Sequence, residues 1–328
     1  MRELTYWQAV QEALREEMTR DPRVFLMGED IGVYGGAFGA TRGLLAEFGA
    51  ERVRCTPISE ATVVGAATGA ALTGMRPVVE IMFMDFVTLA MDQLANHAAK
   101  FRYMYGPQAR VPLVVRTPAG GGRSYGATHS QSLEAWFLHV PGLKVIAPAT
   151  PADAKGLLKT AIRDDDPVLC VEHKRLYATT GPVPDGDVLA PLGQAAVRRE
   201  GADVTLVTYS YYVSVALQAA DELAQQGIDA EVVDLRTLAP LDTETVLDSV
   251  RKTGRVVCIE EGTRTGGVGA EIVARIAEDA YEYLDAPVRR IATPDVPIPF
   301  SPVLEELALP TAETIVRTTL ELVDGARR

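Results

Sequence analysis

Glu60 stands at the predicted start of a helix, where an acidic side chain could take part in proton transfer. Ser59 before it is a residue type that caps helices, and the small residues after it would let another backbone approach closely. The helix dipole favours a negative charge at this end. Glu60 could therefore be only a stabilising carboxylate, or it could be a catalytic acid or base. The spacing of these residues leaves both interpretations open.

His129 is the second candidate for chemistry. It lies in the segment Ala127–Ser132, which follows Gly120–Gly122 and Gly126. A histidine on a glycine-flanked loop is typical of a functional site rather than of a packed core, and its side chain titrates near neutral pH. A plain surface position explains His129 equally well on sequence alone.

Three glycine-rich stretches invite a phosphate-binding interpretation. The stretches 28–39 and 120–126 match neither of the common nucleotide-binding patterns. The stretch 262–269 precedes a predicted helix and could hold an anion at its N-terminus, but a tight strand-to-helix turn would need the same glycines. The sequence contains no motif of the zinc proteases, serine hydrolases or EF-hands.

Length and composition limit the class of protein. A chain of 328 residues exceeds the usual size of a single core, so two domains are expected. A content of 47% hydrophobic and 23% charged residues is typical of a globular protein. The net charge of −12 would repel nucleic acid and makes a basic protein the better partner.

Cysteine usage and hydropathy predict the compartment. Cys55, Cys170 and Cys258 are odd in number and form no CxxC pair, so we expect reduced thiols in a cytoplasmic protein. The N-terminus lacks the apolar core of a signal peptide, and no apolar run reaches about 18 residues. We therefore expect neither secretion nor a membrane span.

Alternating helical and extended segments must position the candidate side chains. A capping box at Thr5–Gln8 begins an amphipathic helix, and short apolar strands then alternate with helical stretches. Continuous apolar strands separated by helices predict a buried, mainly parallel sheet and an α/β fold. Gly, Pro and Asp between about 173 and 200 are typical of a linker. The alternation resumes after it and predicts a second, smaller α/β domain.

Several motifs, spaced along nearly the whole chain, together resemble one known family. They include Gly28-Glu29-Asp30, Thr56-Pro57-Ile58-Ser59-Glu60, Met91-Asp92-Gln93, His129-Ser130-Gln131, Pro141-Gly142-Leu143-Lys144-Val145 and Asp234-Leu235-Arg236-Thr237-Leu238. In this order they are similar to the β subunits of the E1 components of pyruvate, acetoin and branched-chain 2-oxo-acid dehydrogenases.

That resemblance implies two α/β domains with mainly parallel sheets. A transketolase-like pyrimidine-binding domain would span 1–180, a linker 181–200 and a transketolase C-terminal domain 201–328. The implied cofactor is thiamine diphosphate. In the family, a Gly-Asp-Gly…Asn motif on the α chain holds the diphosphate and its Mg²⁺, and this sequence lacks it. The cofactor is therefore expected to be shared with an E1 α subunit in an α₂β₂ heterotetramer.

The resemblance also assigns the site residues. Glu60 matches the cofactor-activating glutamate, a buried carboxyl that can share a proton with the pyrimidine ring. Phe86 matches the aromatic residue that stacks on the pyrimidine, and Met82 lies on the same wall. His129 matches the histidine that aids reductive acyl transfer to a lipoyl group. Thr128 precedes it where the commoner family sequence has Gln, which puts the local hydrogen bonding in question.

Two further sites follow from the resemblance. A potassium site built largely from carbonyl oxygens would fall on Leu113, Ala161, Ile162, Asp164 and Asp166, unless the acidic run there only stops a helix. Asp285 matches an acidic position that meets a basic domain of the E2 lipoyl acyltransferase, unless it is an ordinary solvated aspartate.

The implied reaction is oxidative decarboxylation of a 2-oxo acid with acyl transfer to lipoyl-E2. Pyruvate is the favoured substrate, and acetoin or a branched-chain 2-oxo acid is the alternative. A non-catalytic partner-binding subunit is a second hypothesis, against which Glu60, Phe86 and His129 argue together. A self-sufficient transketolase-like enzyme is a third, against which the length and the missing diphosphate motif argue.

Overall fold

The computed structural model describes residues 1–326. The chain forms two compact units. Unit 1 comprises Met1–Ala119 and Trp136–Leu192, and unit 2 comprises Gly120–Ala135 and the chain from Gly193 onward. The loop that carries His129 therefore belongs to unit 2, although it lies within the stretch 1–180 along the chain.

The elements before Leu192 alternate between strand and helix. The strands are β1 (Arg2–Thr5), β2 (Val24–Gly28), β3 (Val53–Cys55), β4 (Arg76–Glu80), β5 (Val114–Ala119), β6 (Lys144–Ile146), β7 (Val168–His173) and β8 (Thr180–Val183). The helices are α1 (Tyr6–Arg20), α2 (Leu44–Phe48), α3 (Glu60–Leu72), α4 (Met84–Val87), α5 (Ala99–Tyr105), α6 (Glu134–Leu138) and α7 (Pro151–Arg163). A 3₁₀ turn at Thr88–Ala90 and a π-helix at Gln93–Ala98 lead into α5.

Six strands of unit 1 form one parallel sheet. Their order is β6-β7-β5-β4-β2-β3, and each neighbouring pair runs parallel. Strands β5 and β7 are buried along their whole length, as apolar strands covered by helices on both faces must be. Because all six strands point the same way, their carboxyl ends meet at one edge, which is where open α/β sheets bind ligands.

Helices α1 and α7 pack against each other through buried ion pairs. The side chain of Gln8 accepts a hydrogen bond from the Thr5 amide at 2.9 Å and completes the predicted capping box of α1. On α7, the Lys155 ammonium is 1% exposed and lies 2.5 Å from Glu12 and 2.8 Å from Glu16. A lysine this deeply buried must be paired, and here both partners come from the other helix.

Unit 2 contains a smaller sheet with helices on it. The strands of unit 2 are β9 (Ala196–Arg199), β10 (Val204–Thr208), β11 (Ala230–Asp234), β12 (Thr237–Ala239), β13 (Val256–Thr263) and β14 (Arg289–Thr293), and all but β12 belong to this sheet. Its helices are α8 (Tyr212–Ala224), α9 (Thr243–Thr253), α10 (Val268–Asp279), α11 (Pro302–Ala308) and α12 (Ala312–Ala326). The order of the five-stranded sheet is β14-β13-β10-β11-β9, parallel except for β9. Side chains of α8 and α12 form its core on one side.

The predicted fold class is confirmed, with local differences. Strand β5 begins at Val114 although the apolar run begins at Val111, because the Leu113 amide donates to the Val111 carbonyl at 2.7 Å. The stretch predicted as a linker over 181–200 ends with β9, and its first residues pair with β1. Among residues 1–326, no helix is long and apolar enough to cross a membrane.

Candidate active site

The carboxyl ends of β2, β3 and β4 bring candidate residues of unit 1 to one edge of the sheet. Gly28 ends β2 and lies in register with Cys55, which ends β3, and with Glu80, which ends β4. The Thr56 amide donates to the Gly28 carbonyl at 3.0 Å and extends this register past β3. Three short segments therefore leave the sheet side by side. They carry Glu29, Glu60 and Met82.

Glu60 begins α3 and is buried, with 6% of its surface exposed. Ser59 occupies the N-cap position as predicted, but its hydroxyl donates to the Thr62 hydroxyl at 2.8 Å instead of capping a backbone amide. The described residues give the Glu60 carboxylate no hydrogen bond or ion pair. A buried carboxyl group with no partner in the described part of the chain suits an external hydrogen-bond partner.

Glu29 is the second carboxylate of this edge. Burial raises the pKa of Glu29, and the nearby negative charge of Glu60 raises it further. The Ser59 amide opposes the rise in pKa by hydrogen bonding to the Glu29 carboxylate. The raised pKa means that Glu29 takes up a proton more readily than an exposed glutamate does.

Aromatic side chains line the same part of unit 1. Met82 and Phe86 are half-buried, and Phe86 makes an edge-to-face contact with Phe83 at 6.3 Å between ring centroids. Phe38 contacts Phe83 edge-to-face at 6.1 Å and stacks on Tyr177 at 4.7 Å. Part of this apolar wall stays accessible, so a flat ring could pack against it.

A buried ion cluster supports the aromatic wall. The Arg116 guanidinium, 2% exposed, donates to both oxygens of Glu172 at 2.7 and 2.8 Å and to Glu80 at 2.8 Å. The hydroxyl of Tyr177 donates to Glu172 at 2.5 Å. Burial raises the pKa of Glu80 despite the attraction of Arg116. One guanidinium thus faces two carboxylates, of which Glu172 is buried and Glu80 is half-buried.

His129 lies in unit 2 and is half-buried. The Thr128 hydroxyl lies 3.0 Å from its Nδ1 atom. Thr128 stands where the commoner family sequence has Gln, and its hydroxyl makes a hydrogen bond to the imidazole ring of His129. If Thr128 donates, the neutral imidazole carries its proton on Nε2.

The glycine-rich stretches hold carboxylates of the chain itself. At the start of α10, Glu260 is buried and accepts from the Gly269 amide at 3.0 Å. Position 267 has no room for a side chain, because a Cβ atom at Gly267 would lie 2.6 Å from both carboxylate oxygens of Glu260. The stretch 262–269 does carry an anion at a helix N-terminus, and that anion is an internal glutamate.

Protein cations surround the predicted potassium ligands. The Arg76 guanidinium donates to the carbonyl of Ile162 at 2.8 Å and to the carbonyl of Asp164. Lys144 lies 2.7 Å from the Asp164 carboxylate, and Arg102 lies 2.6 Å from that of Asp166.

The remaining two predicted potassium ligands offer carbonyls that already accept backbone hydrogen bonds. Leu113 accepts from Val168 at 2.9 Å, and Ala161 accepts from Asp164 at 3.2 Å. Each carbonyl oxygen has a second lone pair, so these contacts do not exclude a cation.

Asp285 is exposed at the surface of unit 2. Its side chain is 58% exposed and lies 3.1 Å from Arg255. Its amide donates to the Gly254 carbonyl at 2.8 Å, next to the end of α9. The carboxylate is accessible but shares its charge with one arginine.

Comparison with known proteins identifies the family. The transketolase pyrimidine-binding domain model matches residues 2–180, and the transketolase C-terminal domain model matches residues 193–315. The chain is 47% identical to the acetoin:2,6-dichlorophenolindophenol oxidoreductase subunit beta of Cupriavidus necator, covering 99% of both chains. It is 50% identical to the mitochondrial pyruvate dehydrogenase E1 component subunit beta-1 of Arabidopsis thaliana, over 97% of this chain and 89% of the relative.

Two further comparisons agree. The 2-oxoisovalerate dehydrogenase subunit beta of Bacillus subtilis is 46% identical over 98% of this chain and 99% of the relative. A split-gene transketolase, solved as an inactive β4 tetramer, superposes with a TM-score of 0.80 at 25% identity over 98% of each chain. The chain belongs to the family of E1 β subunits of 2-oxo-acid dehydrogenases.

Family membership confirms several predictions from the sequence. The two transketolase-type domains, the oxidoreductase class and the E1 β assignment are confirmed. Membership also implies use of thiamine diphosphate and, because the relatives are named as β subunits, pairing with an α subunit.

The structure places further residues near the candidate site that the sequence does not single out. Glu29 is part of the motif Gly28-Glu29-Asp30, and its position directly after a buried strand is the one local signal that indicates a site. Arg116 and Glu172 lie inside apolar strands, where a charged residue signals a buried partner. Nothing in the sequence pairs them with each other. Phe38 and Tyr177 carry no local signal at all.

Proposed function

We propose that this chain supplies the catalytic β subunit of an α₂β₂ E1 enzyme that oxidatively decarboxylates a 2-oxo acid, most favourably pyruvate. The observation that carries the proposal is Glu60, a buried carboxylate for which residues 1–326 provide no partner, at the carboxyl edge of a parallel sheet. The apolar wall of Met82 and Phe86 lies in the same unit, close along the chain to the end of β4.

The residues of unit 1 fit the pyrimidine of thiamine diphosphate. A carboxyl group at Glu60 would hydrogen bond to ring nitrogen N1′ and share a proton with it. Glu29 lies close enough for its pKa to be raised by burial and by the charge of Glu60, so the cofactor ring would meet two acidic side chains at this edge. Phe86 would stack on the pyrimidine and Met82 would exclude water from its face. When bound, the cofactor would supply both a carbon nucleophile and an electron sink for decarboxylation, while Glu60, Phe86 and Met82 would hold its pyrimidine in place.

His129 would act later in the reaction. The ring, held by the contact between Thr128 and Nδ1, would as the imidazolium give a proton to the lipoyl sulfur released when the S–S bond breaks and the acyl group passes to the other sulfur. The half-buried position of His129 leaves part of the ring accessible for that step.

The α subunit would hold the diphosphate and its Mg²⁺. The sequence of this chain has no Gly-Asp-Gly…Asn motif. Among residues 1–326, no group of three or more His, Cys, Asp and Glu side chains is arranged to hold a metal ion. A potassium ion would instead bind to carbonyl oxygens of Leu113, Ala161 and Ile162 with help from Asp164 and Asp166.

Asp285 would contact a basic domain of the E2 acyltransferase. Its exposure and the net charge of −12 support this role. Charge reversal by Asp285→Lys should weaken binding of E2 by the α₂β₂ enzyme, measured by surface plasmon resonance at two salt concentrations. Glu282→Lys, an exposed acid nearby, is the matched control. Equal affinities for Asp285→Lys and the parent would remove Asp285 from the interface.

The decisive experiment is expression of this chain with and without an E1 α chain, followed by assays on pyruvate, acetoin and branched-chain 2-oxo acids. We expect no turnover without the α chain, in line with the inactive β4 form named for the split-gene transketolase. Pyruvate should give the highest kcat/KM. A preference for acetoin, as in the Cupriavidus necator relative, is the alternative outcome on substrate.

The Glu60→Gln variant tests the site itself. It should still bind the cofactor but lose at least about a hundredfold in kcat, the usual scale for a positioned acid or base. Glu51→Gln, an exposed glutamate before β3, should behave like the parent. Near-normal turnover of Glu60→Gln would contradict the proposal, as would turnover by the chain alone. We place the enzyme in the cytoplasm, as the sequence predicts.

A further inference from the structure

Two buried carboxylates of unit 2 hold the glycine loop, Gly120–Gly126, that precedes His129. Glu305 on α11 is 3% exposed and accepts from the amides of Gly122 and Ser124, both at 2.8 Å. Glu261 on β13 is 6% exposed and accepts from the amide of Gly121 at 2.5 Å. The N–H groups of Gly121, Gly122 and Ser124 therefore all point at glutamate side chains of the same chain.

The backbone conformation of the loop turns its N–H groups toward these carboxylates. Every second residue, at Gly120, Gly122, Ser124 and Gly126, has a positive φ. Such alternation turns N–H groups to one side and forms a concave anion-binding surface. Ser124 adopts φ of 55°, an unfavourable value for a residue with a side chain, and both its amide and its hydroxyl face Glu305.

Packing around the carboxylates leaves little freedom. A Cβ atom at Gly121 would lie 3.2 Å from both Glu305 and Leu309. Ser132, on the far side of His129, donates its hydroxyl to Glu261 at 3.2 Å. Glu261 thus contacts the chain both before and after the histidine.

The loop is also closed on itself around His129. The Gly120 amide donates to the Gln131 carbonyl at 3.3 Å, and the His129 amide donates to the Gly126 carbonyl at 3.3 Å. A shift of the glycine loop would therefore carry His129 with it. Charge-assisted hydrogen bonds to buried carboxylates are among the strongest restraints a protein can place on a loop.

We infer that Glu305, together with Glu261, is a positioning residue for His129 and sets the rate of acyl transfer without touching the substrate. The inference rests on the proposed function of His129. We refer to Glu261 and Glu305 as the loop clamp.

The test uses the α₂β₂ holoenzyme with Glu305→Gln and the matched control Glu306→Gln. Glu306 is the exposed neighbour on the same helix. The amide group of glutamine keeps the shape of glutamate but can accept only through one oxygen, so one loop amide loses its partner. We expect kcat for acyl transfer to lipoyl-E2 to fall by about tenfold or more in Glu305→Gln and to stay at the parental value in Glu306→Gln. Glu305→Asp, which keeps the charge, should recover part of the loss.

Two readouts separate positioning from general damage. Hydrogen exchange should become faster at residues 121–124 in Glu305→Gln while the strands of unit 2 keep their protection. In the His129→Ala background, Glu305→Gln should cause no further loss of kcat, because it acts through the histidine. An equal loss in both backgrounds, or unchanged exchange in the loop, would overturn the inference.

Failure of the proposed function gives a different pattern. Full acyl-transfer activity in His129→Ala would remove the catalytic role of His129 itself and the positioning role with it. In that case, faster loop exchange in Glu305→Gln would still show that the clamp holds the loop. Loss of activity in His129→Ala with normal activity and faster exchange in Glu305→Gln would overturn the clamp inference alone.

Discussion

The hydroxyl of Thr128 lies 3.0 Å from Nδ1 of His129. This contact would hold the imidazole ring in one orientation and leave Nε2 as the nitrogen available for the reaction. Removing the hydroxyl while keeping the shape, in Thr128→Val, should lower kcat for acyl transfer by about two- to tenfold, the value of one hydrogen bond. Decarboxylation assayed with an artificial electron acceptor should change less.

Thr128→Ser is the control for that experiment, because it keeps a hydroxyl at the same position. It should stay within about twofold of the parent. If Thr128→Val and Thr128→Ser have equal rates with both acceptors, the hydrogen bond to His129 has no catalytic role.

The buried Arg116 should be necessary for folding of unit 1. Arg116→Met would leave Glu80 and Glu172 without their shared cation, and breaking a buried ion pair on one side typically costs about 3–5 kcal/mol. Because burial already raises the pKa of Glu80, the variant should recover stability relative to the parent as the pH falls toward 4.5, the ordinary pKa of a glutamate. Urea unfolding at several pH values measures both effects.

Neutralising one carboxylate provides the control for Arg116. The double variant Arg116→Met, Glu172→Gln removes one of the two stranded charges and should be more stable than Arg116→Met alone. Loss of less than about 1 kcal/mol in Arg116→Met would show that the buried ion cluster does not stabilise the unit.

Glu12 should make the free energy of unfolding depend on pH in the acid range. Burial alone would raise the pKa of Glu12, but hydrogen bonds from Arg2 and Lys155 outweigh it and lower the pKa from 4.5 to about 2. A lowered pKa means that the stabilisation is complete above 4.5 and is lost as the pH falls through the folded-state value. Glu12→Gln should therefore unfold at a lower temperature than the parent at neutral pH, and the two should converge near the acid end. Glu3→Gln, at an exposed acid, should track the parent throughout.

The positions of helices and strands were predictable from the sequence, whereas contacts between residues far apart in the chain were not. Strand and helix positions follow from apolar periodicity, which is a local property, so the parallel sheet and the start of α3 at Glu60 were predictable. The proximity of Glu29 to Glu60 depends on the register of β2 with β3, which no local pattern encodes. The buried contact of Arg116 with Glu172 depends in the same way on the pairing of β5 with β7.

The glycine loops show a second limit. Several of their glycines have a positive φ, and only for the stretch 262–269 did the sequence offer an anion at the helix N-terminus, with a tight turn as the alternative. The sequence of such a loop does not determine whether the anion is a phosphate or a glutamate from a distant part of the chain. Glu305 lies 181 residues from Ser124 in sequence, and only the fold brings them together.

Potassium should stabilise the protein more than sodium does, if the carbonyls near Asp164 form a cation site. Arg76 already donates to the carbonyls of Ile162 and Asp164, and Lys144 lies 2.7 Å from the Asp164 carboxylate, so a bound cation would compete with both. An ion that binds only the folded state raises the thermal midpoint. Thermal unfolding in equal concentrations of KCl and NaCl should thus show a higher midpoint in KCl.

Lys144→Gln sharpens the potassium test, because it removes a competing cation and leaves the carboxylate of Asp164 in place. The difference between KCl and NaCl should grow in this variant, since the free carboxylate attracts the ion more strongly. Lys100→Gln, at an exposed lysine that donates to the Pro141 carbonyl, controls for the loss of one positive charge. Identical midpoints in the two salts, for the parent and for Lys144→Gln alike, would mean that Arg76 and Lys144 occupy this position permanently and that the acidic run only ends α7.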